Sequence, residues 1–585
     1  MREYRTPELV PIPDTATTAD APAERAGRSP GQVVLRRRTA EGWTDVTAAS
    51  FHDEVRALAA GLIESGVAAG DRVALLSRTR YEWTLLDYAI WYAGAVTVPI
   101  YPTASATQIA HVLRDSGAVA ALVETAEHRA LVLAAGLPAE RATVIDDAGL
   151  AGLSGRAGAA SLAAVAARRA ERNAADLATI VYTSGTTGVM KGCALSHRNL
   201  LAMARNTIAD IPAIFAEPGG STVLFLPLAH SFARFVQIAA VESGLVLGHL
   251  PDPSSIMTEL PVFRPTFLPA VPRVLQKIFD TAVRTATEEG KGGPFRQAIE
   301  IAIEYSRAQS GEGPKTTLRM KHAMMDKIVY GRLREAVGGA EYAVSGGAAL
   351  GERLAHFYRG IGITVLEGYG LTETTAPVTA NVPGKVSPGT VGRPVPGNAI
   401  RLAEDGEILV SGPTVFSGYW QDERATKEVL DPDGWLSTGD LGAIDDDGYL
   451  SVVGRKKEVI VTASGKNVVP EPLEDLVRAH PLVSHCVLVG DGRPFVACLI
   501  ALDADELRFR GAGPEPNRDP ALLAEIELAV AAANEQVSAA ESIKKFAVLD
   551  RELDEEHGHL TASLKVRRAA VVRDFAADIE ALYRG

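Results

Sequence analysis

Cysteine is scarce in this sequence. Three occur among 585 residues, Cys193, Cys486 and Cys498, and no two of them stand at metal-ligand spacing. A disulfide scaffold is excluded, and the three are expected as small buried apolar residues in a reducing compartment. Positive charge is also short. Lys and Arg number 59 against 72 Asp and Glu, a formal net charge of −13, which disfavours nucleic acid as the main partner because a phosphate backbone attracts basic surfaces. Uninterrupted apolar runs are missing as well. The best candidate, Gly117 to Leu137, is broken by Glu124, Glu127, His128 and Arg129, where a membrane helix needs ~18 apolar residues. The opening "MREYRTPELVPIPDTATTADAPAE" has no apolar core of the kind a signal peptide carries. The expectation is a cytoplasmic protein, with peripheral contact at the inner membrane face left open.

What is present is ordinary globular material. Apolar residues make up 47% and charged residues 22%, and at roughly 100–200 residues per domain the length predicts two or three domains. The first 28 residues are rich in Pro, Ala and Thr and read as an extended arm. Phe51, Val55, Leu58 and Leu62 then recur at helical spacing with Gly66 as a C-cap. "RVALLS" (Arg72–Ser77) reads as a buried strand, and "YEWTLLDYAIWYAGAVTVPIYPT" repeats the order of helix and strand. Such alternation predicts an α/β class with mainly parallel sheets flanked by helices. The stretch "AGLSGRAGAASLAA" looks like a surface insertion. After about Gly448 the texture changes to strands, turns and a helix with Leu473, Leu476 and Val477 on one face. The domain boundaries predicted are an arm over 1–28, a large domain over 29–454 and a smaller, mobile α+β domain over 455–585.

One segment carries the chemistry. "IVYTSGTTGVMKGCALSHRNLL" (Ile180–Leu201) reads as a buried strand, a loop of glycines and hydroxyls ending in a lysine, and a helix. Gly185, Gly188 and Gly192 permit close backbone approach, so successive N–H groups can form an anion-binding nest. Thr183, Ser184, Thr186 and Thr187 add hydroxyl donors, and Lys191 adds charge. The loop is not a Walker A motif, because Lys191 is followed by Gly192 and not by Ser or Thr. On these residues alone a flexible turn and a phosphate cradle both stand.

The same loop resembles the signature of the adenylate-forming superfamily, with Met190 in place of proline. That superfamily comprises acyl-CoA synthetases, peptide-synthetase adenylation domains and beetle luciferases. "LEGYGLTETTAP" (Leu366–Pro377) resembles its second signature, "GWLSTGDLGAIDDDGYLSVVGRKKEVI" (Gly434–Ile460) its third, and "GHLTASLKVRR" (Gly558–Arg568) its terminal lysine motif. "WYAGAVTVPIYPTAS", "LPLAHSFARF", "FLPAVPRVLQKI" and "SGGAAL" look most like bacterial long-chain fatty-acyl-CoA synthetases.

The resemblance implies an ATP-dependent fatty-acid:CoA ligase with ATP, Mg2+ and CoA as its small molecules. A medium- or long-chain fatty acid is activated as acyl-adenylate and passed to CoA, releasing pyrophosphate and AMP. Transfer to a carrier protein, or a silent nucleotide- or lipid-binding homologue, are the alternatives. By resemblance, Thr183, Ser184, Gly185, Thr186, Thr187, Gly188, Lys191, Gly347, Gly368, Tyr369 and Gly370 contact the nucleotide. Thr372 hydrogen-bonds the α-phosphate, Glu373 binds Mg2+, and Asp440 with Arg455 hold the ribose. Lys565 bridges carboxylate and α-phosphate, Lys457 is the hinge, and His230 lies beside the acyl group. The blander readings are a capped strand-to-helix turn at Thr372 and a solvated basic face at "LKVRR". "DDDG" (Asp445–Gly448) reads as a hairpin turn, and "EEHGHL" (Glu555–Leu560) as surface.

Overall fold

Short apolar runs become strands that helices bury on both faces. In the computed structural model, which describes residues 3–183, 190–561 and 565–584, Arg72–Leu76, Val96–Ile100 and Ala118–Val123 pair in parallel at the centre of a seven-stranded sheet. The order across it is Gly418–Tyr419, Lys191–Ser196, Leu177–Thr183, Val96–Ile100, Arg72–Leu76, Ala118–Val123 and Ala142–Val144. Continuous apolar strands suit such a sheet because neither face meets water. The helix Tyr81–Tyr92 between the first two central strands is buried on every side, as a helix without a polar face must be.

That helix buries two carboxylates, Glu82 at its start and Asp87 in the core. Asp87 accepts from Arg234 Nη2 at 2.5 Å and Nε at 3.1 Å, from Gln237 at 2.9 Å and from Thr97 at 2.7 Å. The side chains of Asp87 and Arg234 are 0% and 3% exposed, so the pair is desolvated and its lone pairs are matched.

Two compact units divide the chain. One comprises Met1–Arg401, Leu409–Thr438 and Ile444–Leu450; the other comprises Leu402–Ile408, Gly439–Ala443 and Ser451–Gly585. The first holds the seven-stranded sheet and two further ones. The strands Ser221–Leu224, Val246–His249, Val33–Thr39 and Gly42–Thr47 form the second sheet. Phe267–Ala270, Tyr342–Ser345, Thr364–Leu371, Ala376–Ala380 and Arg393–Pro394 form the third. The other unit contains a three-stranded sheet, Val483–Val489, Val496–Leu502 and Ile543–Val548, packed with helices Pro470–Arg478 and Pro520–Asn534 around Leu473, Val477, Ile526 and Val530. The class is mixed α/β, as expected.

Several local expectations are corrected. The first 28 residues are not an extended arm. Glu3–Arg5 is a strand antiparallel to Ala399–Arg401, and Asp20–Arg28 is a helix whose Arg25 guanidinium donates to the Glu242 carbonyl at 2.8 Å. "AGLSGRAGAASLAA" contributes to two helices, Asp147–Ser154 and Ala159–Glu171, that bury Leu153 and Val165; small residues let them pack closely. In Pro470–Arg478 the buried stripe is Pro470, Leu473 and Val477, while Leu476 falls outside it and is exposed. His559 is not surface but fully buried, its Nε2 3.2 Å from Asp574. "DDDG" is a turn, with Asp445 accepting from the Asp447 and Tyr449 amides and Gly448 at φ 85°.

Candidate active site

The strand Leu177–Thr183 and the strand Lys191–Ser196 are antiparallel, and their register places Thr183 opposite Lys191. They bracket the glycine- and hydroxyl-rich loop. Ser184, Gly185, Thr186, Thr187 and Gly188 themselves lie outside the described residues. At the foot of the loop Gly192 is required by space: a Cβ there would come 2.6 Å from Ile180 Cγ2 and 3.1 Å from the Tyr182 ring. The Met190 carbonyl accepts from His111 Nε2 at 2.9 Å.

Side chains two apart on a strand share a face, so Lys191 and Cys193 point the same way. Tyr419 of the neighbouring strand pairs in register with Cys193. Its ring lies 4.9 Å from Lys191 Nζ and its hydroxyl donates to Glu373 Oε1 at 2.9 Å. Cys193 is buried under the same carboxylate. Burial first, and the Glu373 charge second, push its thiol up, so it stays neutral.

Glu373 reaches this point from the third sheet. The strand Thr364–Leu371 carries Gly368, Tyr369 and Gly370, with an irregularity between Tyr369 and Gly370, and runs into a single 3-10 turn, Thr372–Thr374. Gly370 admits no side chain, since a Cβ would sit 2.1 Å from the Ala376 carbonyl oxygen. The chain then turns through Thr375 at φ 60° and Ala376 at φ 78°, conformations that cost non-glycine residues about 1–3 kcal/mol each. Three hydrogen bonds hold the turn: Thr375 Oγ1 to the Thr414 carbonyl at 2.6 Å, Leu371 N to Thr374 Oγ1 at 2.8 Å, and Phe416 N to the Glu373 carbonyl at 2.8 Å. Gly347 follows the parallel strand Tyr342–Ser345, at φ 91°. The structure therefore brings Thr183, Lys191, Glu373 and the glycines of the third sheet into one unit.

The chain is a member of the AMP-binding enzyme family. That family matches residues 22–420, and the AMP-binding enzyme C-terminal domain matches residues 457–585. Among relatives, the chain is 46% identical to the long-chain-fatty-acid–CoA ligase FadD15 of Mycobacterium bovis over the full length of both. It is 30% identical to the peroxisomal long chain acyl-CoA synthetase 7 of Arabidopsis thaliana, over 91% of this chain and 80% of that one. The fold is similar to that of ATP-bound MatB from Rhodopseudomonas palustris, with a TM-score of 0.70 at 24% identity, covering 95% of this chain and 99% of that chain.

For a member of this family the remaining predicted residues fall as follows. In the second unit Asp440, 4% exposed, accepts from Arg455 Nε at 2.8 Å, so the two residues assigned to the ribose are paired. Lys457 lies exposed in the 3-10 turn Lys456–Glu458, beside Lys456, which pairs with Asp405 and Glu407. Lys565 is exposed in a turn where its amide donates to Thr561 Oγ1 at 3.0 Å and its carbonyl accepts from the Thr561 amide at 2.8 Å. Three residues on, Arg568 is half-buried among Glu474, Glu458 and the Leu488 carbonyl. In the first unit His230 caps the helix Ser231–Ser243, its Nδ1 accepting from the Phe232 amide at 3.2 Å.

Two residues at this site escaped the sequence reading. Tyr419 sits in "FSGYWQ", outside the four signature strings, and only its strand pairing reveals it. Glu367, just before Gly368, is 7% exposed and accepts from the Leu350 amide at 3.0 Å. Burial pushes its carboxyl up to about 7, partly offset by that hydrogen bond. It stands second in the string "LEGYGLTETTAP", and that place was the available signal.

No group of three or more His, Cys, Asp or Glu side chains is gathered to hold a metal among the described residues. A lone, oriented carboxylate fits Mg2+, which takes one or two carboxylates and leaves its other positions to phosphate and water. No single helix among the described residues is long and apolar enough to cross a membrane.

Proposed function

We infer that this chain is an ATP-dependent ligase joining a medium- or long-chain fatty acid to CoA, by way of an acyl-adenylate. The observation that carries this reading is that Lys191 and Glu373 meet the same residue, Lys191 at the Tyr419 ring and Glu373 at its hydroxyl. A nucleotide triphosphate with its cation needs such a pair: an ammonium for phosphate oxygens and a carboxylate for Mg2+. The full-length likeness to fatty-acid–CoA ligases supports the choice of acid and thiol.

The obstacle to the first half-reaction is electrostatic. Two unit charges ~4 Å apart cost about 4 kcal/mol at an effective dielectric near 20, and the fatty carboxylate must approach several. Mg2+, held by Glu373, would neutralise part of the phosphate charge. Lys565 is assigned the bridge between the carboxylate and the α-phosphate, since a compact ammonium on a flexible stem can follow developing charge. Thr372 donates to the α-phosphate, and the hydroxyls of Thr183, Ser184, Thr186 and Thr187, with the amides around Gly185 and Gly188, cradle the rest. Gly347, Gly368, Tyr369 and Gly370 border the adenosine, Asp440 accepts from the ribose hydroxyls beside Arg455, and His230 flanks the acyl chain. The thiol of CoA then displaces AMP, which needs different surroundings. We assign the change to rotation of residues 455–585 against 29–454 at Lys457, with residues 1–28 carried by the larger part, to which they are paired. The enzyme is placed in the cytoplasm, collecting fatty acid by peripheral contact with the inner face of the membrane.

The test is AMP release from ATP and palmitate with and without CoA. AMP formation that depends on CoA is the expected result; adenylate accumulating regardless of CoA would point to a carrier protein. In the same assay Lys565→Ala should abolish adenylate formation yet still make thioester from supplied acyl-AMP.

A further inference from the structure

We propose that Tyr419 is a positioning residue that acts on the nucleotide site in two directions, orienting Glu373 through its hydroxyl and holding Lys191 off that carboxylate with its ring. The proposal rests on the ligase reading above and goes beyond it, because none of the signature strings includes "FSGYWQ".

A lysine on a strand and a glutamate in a facing turn, both beside one ring, would ordinarily approach each other. A direct ion pair would neutralise both groups and leave neither for its ligand. Here the Lys191 ammonium meets a ring face, 4.9 Å from the centroid, and the carboxylate meets the phenol at the far end of the same ring. A ring face attracts an ammonium by its quadrupole while leaving its N–H donors unspent. The phenol donates to one carboxylate oxygen only, so the other oxygen keeps its acceptor capacity for a cation.

The ring is fixed from several sides. Its amide donates to Thr426 Oγ1 at 2.9 Å, Phe416 packs edge-on at 5.0 Å, and the register with Cys193 sets its height on the sheet. Phe416 in turn donates its amide to the Glu373 carbonyl, so the segment Phe416–Tyr419 grips both ends of the glutamate.

The test is calorimetric titration of the non-cleavable analogue α,β-methylene-ATP, without fatty acid, over a series of Mg2+ concentrations. Tyr419→Phe, which keeps the ring, should raise the Mg2+ concentration needed for half-maximal affinity by about tenfold, the size of a hydrogen bond to a charged group. Its affinity in EDTA should equal that of the wild type. Tyr419→Leu, which removes the ring as well, should weaken the analogue with or without Mg2+. Because the phenol acts through the carboxylate, Tyr419→Phe should add nothing in a Glu373→Gln background. A wild-type Mg2+ requirement in Tyr419→Phe, or an equal loss in the Glu373→Gln background, would overturn the proposal, as would Tyr419→Leu binding the analogue normally in EDTA. A wild-type protein that binds no analogue at all would instead overturn the ligase reading.

Discussion

Glu367 illustrates how much one residue's surroundings add to its identity. It reads as an ordinary acid in "LEGYG", yet burial pushes its carboxyl up to about 7 from an ordinary value of 4.5. An acid whose pKa is higher folded than unfolded binds its proton more tightly in the native state. Its contribution to stability is therefore complete below about pH 4.5 and is lost as pH rises through about 7. Glu367→Gln should abolish that loss. Between pH 5 and pH 8 the wild type should become more sensitive to urea relative to the variant, and parallel pH profiles for the two would refute the assignment. Lys191 and Glu373 were legible because each lies in a contiguous string whose chemistry is local. Tyr419 was not, because what matters about it is a pairing with Cys193, 226 positions away by their numbering.

At the scale of elements, the turn that presents Glu373 depends on glycine for space and not only for conformation. Gly370→Ala would drive a methyl against the Ala376 carbonyl, 2.1 Å from the ideal Cβ, and the strand or the turn must shift. Overpacking of this kind costs about 1–3 kcal/mol. The expected outcome is a lower melting temperature together with a raised Mg2+ requirement for nucleotide binding, since Thr372 and Glu373 move with the turn. Gly347→Ala is the comparison. There φ is 91° but the space is open, so only the backbone penalty applies and the Mg2+ requirement should stay near that of the wild type. Alternating helix and apolar strand was readable at this scale because burial on both faces leaves a continuous apolar run. The N-terminal helix Asp20–Arg28 was not, since its Pro and Ala content matches a linker until Arg25 is seen to anchor at Glu242.

For the whole molecule, the buried pair of Asp87 and Arg234 joins helix Tyr81–Tyr92, helix Ser231–Ser243 and, through Thr179, the strand Leu177–Thr183. Removing one partner strands a charge in the core. Arg234→Met should destabilise the first unit by about 3–5 kcal/mol, while Arg234→Met with Asp87→Leu should recover most of that loss. All five tryptophans, Trp43, Trp83, Trp91, Trp420 and Trp435, belong to the first unit, so denaturation followed by tryptophan fluorescence reads that unit without the other. A double variant no more stable than the single one would show that the pair is not the cause.

By itself the sequence determined the α/β class and the family, and it singled out the residues proposed to meet a nucleotide. Those properties reside in local strings and in short-range periodicity, which a chain carries before it folds. Only the tertiary structure decided that a phenol separates Lys191 from Glu373, that burial raises the Glu367 carboxyl to about 7, and that His559 is buried against Asp574. Each of these depends on strand register and desolvation, and both arise from which distant residues meet.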